Sequence, residues 1–189
     1  MPVDPNALAT WANAITVGRL VVSPVMFLVI PDHHRGSWLA FGLWFVLCAS
    51  DGIDGYLARR HGTTASGAFL DPLADKVLVL GAMFTLVSRD VFPILPVALI
   101  AGREVVISVY RTFVASKGVS IPASQVAKWK TVFQQSAVGF ALWPWFAVDG
   151  EWFWMSLLWI AVALSLISAG QYLWYSRVTE RALAESGAR

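Results

Sequence analysis

The chain has 189 residues, 57% of them apolar and 14% charged, with fourteen Lys and Arg against twelve Asp and Glu for a net charge of +2. Soluble domains are less apolar and carry more charge, so this composition points to a membrane domain. It excludes a disordered tail, a collagen-like repeat and a charge-driven nucleic-acid binder, and a single cysteine, Cys48, excludes a disulfide framework or a Cys-based metal cluster.

A helix crosses the hydrocarbon with ~20 mostly apolar residues, because every backbone polar group there must be paired within the segment. Six segments qualify, at about residues 14–30, 38–60, 68–88, 92–115, 128–148 and 152–175. Turn-forming stretches separate them: Pro31 to Gly36, His61 to Thr64, Arg89-Asp90, Ser116 to Gly118, and Asp149 to Glu151. The expected architecture is an all-α integral membrane protein of six transmembrane helices. Residues 1–13 are expected to lie along the membrane surface, 14–176 to form the six-helix domain, and 177–189 to form a tail. No basic region precedes the first apolar run, so no signal peptide is expected.

Lys and Arg set the orientation. Arg59, Arg60, Arg111, Lys117, Lys128, Lys130, Arg177, Arg181 and Arg189 fall near one set of loops and the tail, against Arg35 and Arg89 on the other side. Both termini are therefore expected on the cytoplasmic side. Several of the ten tryptophans, including Trp38, Trp143, Trp145, Trp152, Trp154 and Trp174, sit at span ends and read as interface anchors.

With that orientation, the inner ends of five spans turn polar. The first begins with Asn13, Thr16 and Arg19, three apart and so on one face. The second ends with Asp51, Asp54 and Arg59, and the third starts near Asp71 and Asp75. The fourth carries Arg103, Glu104, Ser108 and Arg111; the fifth starts with Lys128, Lys130, Thr131, Gln134 and Gln135. Ionisable groups are costly in a bilayer and usually face an interior, so a polar cavity open to the cytoplasm is expected. The sixth span, with Ser165, Ser168 and Gln171, reads as a packing wall.

The segment Asp51-Gly-Ile-Asp54-Gly55-Tyr-Leu-Ala58-Arg59 is followed, after seven residues, by Gly67-Ala-Phe-Leu-Asp71-Pro-Leu-Ala-Asp75. Helical periodicity puts Asp51, Asp54, Gly55, Ala58 and Arg59 on one stripe, and Asp71 and Asp75 on one face of the next helix. A short connection makes the two helices antiparallel neighbours, so four carboxylates converge. Their mutual repulsion calls for neutralisation, and two divalent ions match them in formal charge. With hard oxygen donors and no cysteine among them, Mg²⁺ or Mn²⁺ is favoured over Zn²⁺. Gly55 and Ala58 leave room for a phosphorylated group against the backbone, and Arg59 is a phosphate partner.

Plainer readings stand beside these. Asp71 before Pro72 fits a helix N-cap. Arg59 fits a side chain reaching for the interface, Lys128 and Lys130 fit ordinary cytoplasmic-side residues, and Arg103 with Glu104 fits a structural ion pair.

The pattern D-x-x-D-G-x-x-A-R, a gap of seven or eight residues, then G-x-x-x-D-x-x-x-D resembles the CDP-alcohol phosphatidyltransferase family, and this chain meets every fixed position. The resemblance implies that Asp51, Asp54, Asp71 and Asp75 are metal ligands, with Asp75 also the general base. It implies that Gly55 and Arg59, with Ser66, hold the CDP part of a liponucleotide, and that Asn13 and Thr16 also touch that substrate. Ala12 stands where the family's N-terminal motif has proline, and Ala127 where the later lysine motif usually has glycine. Homodimers are the usual family assembly.

Within the family, the stretches Gly67 to Val77, Arg103-Glu104-Val105 with Ile107-Ser108 and Arg111, and Lys128-Trp-Lys130-Thr131 with Gln134 are most similar to members that make phosphatidylglycerophosphate. That likeness implies transfer of a phosphatidyl group from CDP-diacylglycerol to sn-glycerol 3-phosphate, with release of CMP. Arg103, Arg111 and Lys130 would hold the acceptor's phosphate. The expected setting is a bacterial cell membrane, with the site facing the cytoplasm and no nucleic acid as partner. The same chemistry with another acceptor, as in a cardiolipin synthase or a phosphatidylinositol phosphate synthase, is the nearest alternative. An intramembrane prenyltransferase is a distant one, and a cation transporter is disfavoured by the apolar outer halves of the spans.

Overall fold

A computed structural model of the chain describes the backbone of residues 11–33, 35–61, 65–116 and 124–187, and the side chains of residues 14–33, 35–50, 73–116 and 124–179. Among these residues the structure is helical throughout, with no strand. The helices are α1 (Trp11–Leu28), α2 (Trp38–His61), α3 (Ala65–Ser88), α4 (Ile94–Ser116), α5 (Gln125–Leu142), α6 (Pro144–Asp149) and α7 (Glu151–Gly187).

Six of them follow the expected spans, with two departures. The fifth span stops at Leu142 because Trp143 precedes Pro144 and takes an extended conformation (φ −75°, ψ 118°). The proline ring disfavours helical geometry in the residue before it, so the chain breaks and restarts as the short α6. The last helix does not stop near residue 175 but runs 37 residues to Gly187, about 55 Å in length. Its stretch Glu151–Thr179 is, among the described residues, the one long and apolar enough by composition alone to cross a membrane. Ala14–Leu28 and Trp38–Ser50 are shorter apolar stretches, and charged side chains interrupt α3, α4 and α5.

Three connections meet at one end of the bundle. The His33 backbone N–H donates to the Arg89 carbonyl at 3.0 Å, and Arg89 pairs with Asp32, tying the α1–α2 loop to the α3–α4 turn. The Ser37 N–H donates to the Leu142 carbonyl at 2.9 Å, adding the α5–α6 junction. Aromatic rings crowd here: Trp38 meets Trp145 at 5.5 Å, Phe41 stacks on Trp143 at 5.4 Å, and Phe140 meets Phe153 at 4.9 Å. The tryptophans among them, with an indole N–H on an apolar ring, suit the level of lipid headgroups.

Gly36 makes this junction possible. Its φ is +62°, and a Cβ there would lie 2.7 Å from the Pro144 Cα and 2.9 Å from the Leu142 carbonyl oxygen. Both the backbone conformation and the space require glycine. Gly36→Ala is expected to cost more than the ~1–2 kcal/mol of a left-handed residue alone, because backbone on the far side cannot yield. Thermal unfolding in detergent checks this: an unchanged midpoint would refute the contact.

Inside a bilayer, apolar burial between helices gains little over lipid, so helices associate through close packing of small residues. Here α5 lies along α7, with Ala137, Ala141 and Ala161 buried. α1 packs on both α2 and α3, and Gly81 on α3 receives the ring of Phe27. The Trp44 indole on α2 donates to the Gln135 carbonyl on α5 at 3.1 Å and rides over Gly139. Outward faces stay oily, as with Val105, Val106, Val109 and Phe113 on α4 and Trp159, Ile160, Leu166 and Ile167 on α7.

Candidate active site

The end of the bundle away from the aromatic rings holds its buried polar residues. On α7 the buried positions Trp154, Leu158, Ala161, Ser165, Ser168, Tyr172 and Ser176 recur every three or four residues, forming one inward stripe. The stripe is apolar toward the aromatic end and polar beyond Val162. α4 turns its basic residues onto that polar half. Arg103 donates through Nε to the Ser165 carbonyl at 3.1 Å and through Nη2 to the Ser168 hydroxyl at 2.7 Å. Tyr110 shares a hydrogen bond of 2.6 Å with Ser176, and the Arg111 guanidinium lies 5.3 Å from the centre of the Tyr172 ring. The last helix is thus more than the packing wall anticipated from sequence: it receives the cations of α4.

Glu104 joins α4 to α5. Its Oε1 accepts from Arg103 Nη1 at 2.9 Å and from the Lys130 ammonium, and both Glu104 and Lys130 are more than nine-tenths buried. On α3, Lys76 donates to the Ser108 hydroxyl at 2.5 Å, and Ser108 in turn donates to the Glu104 carbonyl at 2.5 Å. The carboxylate of half-buried Asp75 lies within electrostatic reach of Lys130. A polar layer therefore runs from α3 through α4 and α5 to α7.

The sequence-derived residues distribute as follows. Asp75, Arg103, Arg111 and Lys130 belong to this layer, Arg111 at its exposed edge and Lys130 inside it. Thr16 and Arg19 are buried on α1. Asp51, Asp54, Gly55 and Arg59 fall on α2, Ser66 and Asp71 on α3, and Asn13 on α1, and their side chains lie outside the described residues. The convergence of the four carboxylates lies outside them too, and among the described residues no three acidic, His or Cys side chains gather as a metal site would. The backbone nonetheless narrows the choices. α3 begins at Ala65, more than a turn before Asp71, so Asp71 is inside the helix and not its N-cap. α2 and α3 are unbroken through positions 51 and 54 and through 71 and 75, which keeps each pair on one helix face.

Sequence reasoning gave no role to Lys76, which it met only inside the Gly67 to Val77 stretch, and passed over Tyr110, Tyr172 and Ser176. The signal was present for α7, since Ser165, Ser168, Tyr172 and Ser176 continue the periodic stripe of Trp154 and Leu158.

A family model for CDP-alcohol phosphatidyltransferase matches residues 9–167. The chain belongs to the CDP-alcohol phosphatidyltransferase family. Its similarity to individual members covers from about seven-tenths to nine-tenths of the chain. A protein of Rickettsia prowazekii named CDP-diacylglycerol–glycerol-3-phosphate 3-phosphatidyltransferase is 33% identical over 181 residues, covering 91% of this chain and 96% of its own. A Pseudomonas fluorescens protein of the same name is 37% identical over 171 residues, 86% of this chain and 84% of its own. A probable phosphatidylglycerophosphate synthase of Mycobacterium tuberculosis is 38% identical over 142 residues, 72% of this chain and 68% of its own. The family match takes in α1 to α5 and the part of α7 that carries Ser165, so the polar layer falls largely inside it.

Proposed function

We propose that this chain transfers the phosphatidyl group of CDP-diacylglycerol to sn-glycerol 3-phosphate, giving phosphatidylglycerophosphate and CMP. The observation that carries the reading is the near full-length similarity to proteins named for that reaction, together with the complete aspartate pattern on α2 and α3. Asp51, Asp54, Asp71 and Asp75 would hold two Mg²⁺ or Mn²⁺ ions. When bound, such ions offset charge on the pyrophosphate and on the departing CMP. Gly55 and Arg59, with Ser66, Asn13 and Thr16, would hold the liponucleotide head.

Asp75 would take the proton of the acceptor hydroxyl as that oxygen attacks the lipid-side phosphorus. The acceptor's phosphate needs cationic donors because it enters an acidic site. Lys130, placed within reach of Asp75, and Arg111, at the open edge of the layer, supply them, with Arg103 behind. Buried polar groups at one end of an otherwise oily bundle suit a site that meets a water-soluble acceptor on one side and lipid tails between helices. We further propose six membrane crossings with both termini and the site on the cytoplasmic face of a bacterial cell membrane, and a homodimer as the working assembly.

An acceptor panel tests the reaction. Purified protein with CDP-diacylglycerol and Mg²⁺ is expected to release CMP with glycerol 3-phosphate. Release only with phosphatidylglycerol or with inositol phosphate would move the assignment to another acceptor.

A further inference from the structure

Two cations from different helices share one carboxylate oxygen: Arg103 of α4 and Lys130 of α5 both donate to Glu104 Oε1. Arg103 is fixed on its other side by the Ser165 carbonyl and the Ser168 hydroxyl of α7. The Ser108 hydroxyl, itself accepting from Lys76, donates to the Glu104 backbone carbonyl. Glu104 is 8% exposed and Lys130 7%, so little water screens these charges. Without the carboxylate, two like charges close together in a poorly screened interior would repel and move apart. A buried ion pair of this kind is a poor source of stability, since desolvation of the charges offsets their attraction. Geometry is what it supplies here.

We propose that Glu104 is a positioning residue that holds the Lys130 ammonium, through a brace anchored by Arg103 on α7, where it meets the phosphate of the acceptor. The proposal rests on the reading of Lys130 as an acceptor-phosphate donor. Glu104 itself touches no substrate.

Steady-state CMP release in mixed micelles, with each substrate varied in turn, tests it. Glu104→Gln keeps the shape and removes the charge. A charge-assisted hydrogen bond that loses its geometry is expected to raise KM for glycerol 3-phosphate by about tenfold, with kcat and KM for CDP-diacylglycerol within about twofold. Glu104→Asp, which retains the charge, is expected to sit nearer the unaltered protein than Glu104→Gln does. In a Lys130→Ala background, Glu104→Gln is expected to add less than about twofold, since residues acting through one contact are not additive.

A fall in kcat with unchanged KM for glycerol 3-phosphate would make Glu104 a fold element only and overturn the proposal. So would a full effect persisting without Lys130. Should Glu104→Gln fail to fold, Ser168→Ala loosens the anchor of Arg103, and an unmoved KM for glycerol 3-phosphate there overturns the proposal equally. If the unaltered protein releases no CMP with glycerol 3-phosphate, the acceptor assignment fails by itself. The same KM comparison is then made with whichever phosphorylated acceptor supports turnover, and an unshifted value overturns the role of Glu104.

Discussion

Asp75→Asn is expected to abolish turnover while binding of CDP-diacylglycerol is largely retained. Asparagine keeps the size of the side chain and its helical position on α3, but it cannot accept a proton. Loss of a general base costs about 10²–10⁴ in rate. On the proposed reading, three further aspartates on α2 and α3 would still hold the ions that engage the pyrophosphate, so the liponucleotide should still associate. The measurement pairs CMP release with equilibrium binding of CDP-diacylglycerol in detergent. Retained activity would remove Asp75 from the chemistry. Loss of binding together with activity would restrict it to the metal site.

Lys130→Ala is expected to raise KM for glycerol 3-phosphate by about 10–100-fold, the scale of one or two charge-assisted hydrogen bonds in a buried site. Arg111→Ala should act in the same direction but less strongly, because its guanidinium lies at the exposed edge beside Tyr172. KM for CDP-diacylglycerol is expected to stay put in both. Lys130→Ala should also lower the unfolding temperature, since Glu104 then keeps Arg103 but loses its second cation. Unchanged KM for glycerol 3-phosphate in both variants would rule out an acceptor-phosphate site on α4 and α5.

Helix positions were largely legible before any coordinates. Runs of about twenty apolar residues leave the backbone one way to pair its polar groups, so α1 to α5 and α7 could be read from composition alone. The errors had local causes. Pro144 ended α5 early through its effect on Trp143, and the polar segment beyond Tyr175 carried on as helix because nothing in it breaks one. Asp71-Pro72 looked like a helix start, yet α3 begins at Ala65.

The aspartates stood out through their match to the family pattern, and of the four only the Asp75 side chain falls among the described residues. The fate of the cations was not legible in this way. Lys128 and Lys130 read alike as cytoplasmic-side residues, but two helical positions differ by ~200° in direction, so Lys128 is exposed and Lys130 is buried against Glu104. Arg103 and Glu104 as neighbours suggested a local pair; that a third partner comes from α5 and the anchor from α7 depends on which helices meet.

The amino-acid order indicated, without tertiary information, an oily helical chain with polar residues gathered toward one end of its helices and four aspartates on α2 and α3. Long-range packing decided the rest. Residues sixty or so apart, Arg103 with Ser165 and Ser168, are joined only because α4 and α7 lie side by side. Hydropathy reports how costly a charge is in lipid, and it is silent about which opposite charge or hydroxyl, from which helix, removes that cost.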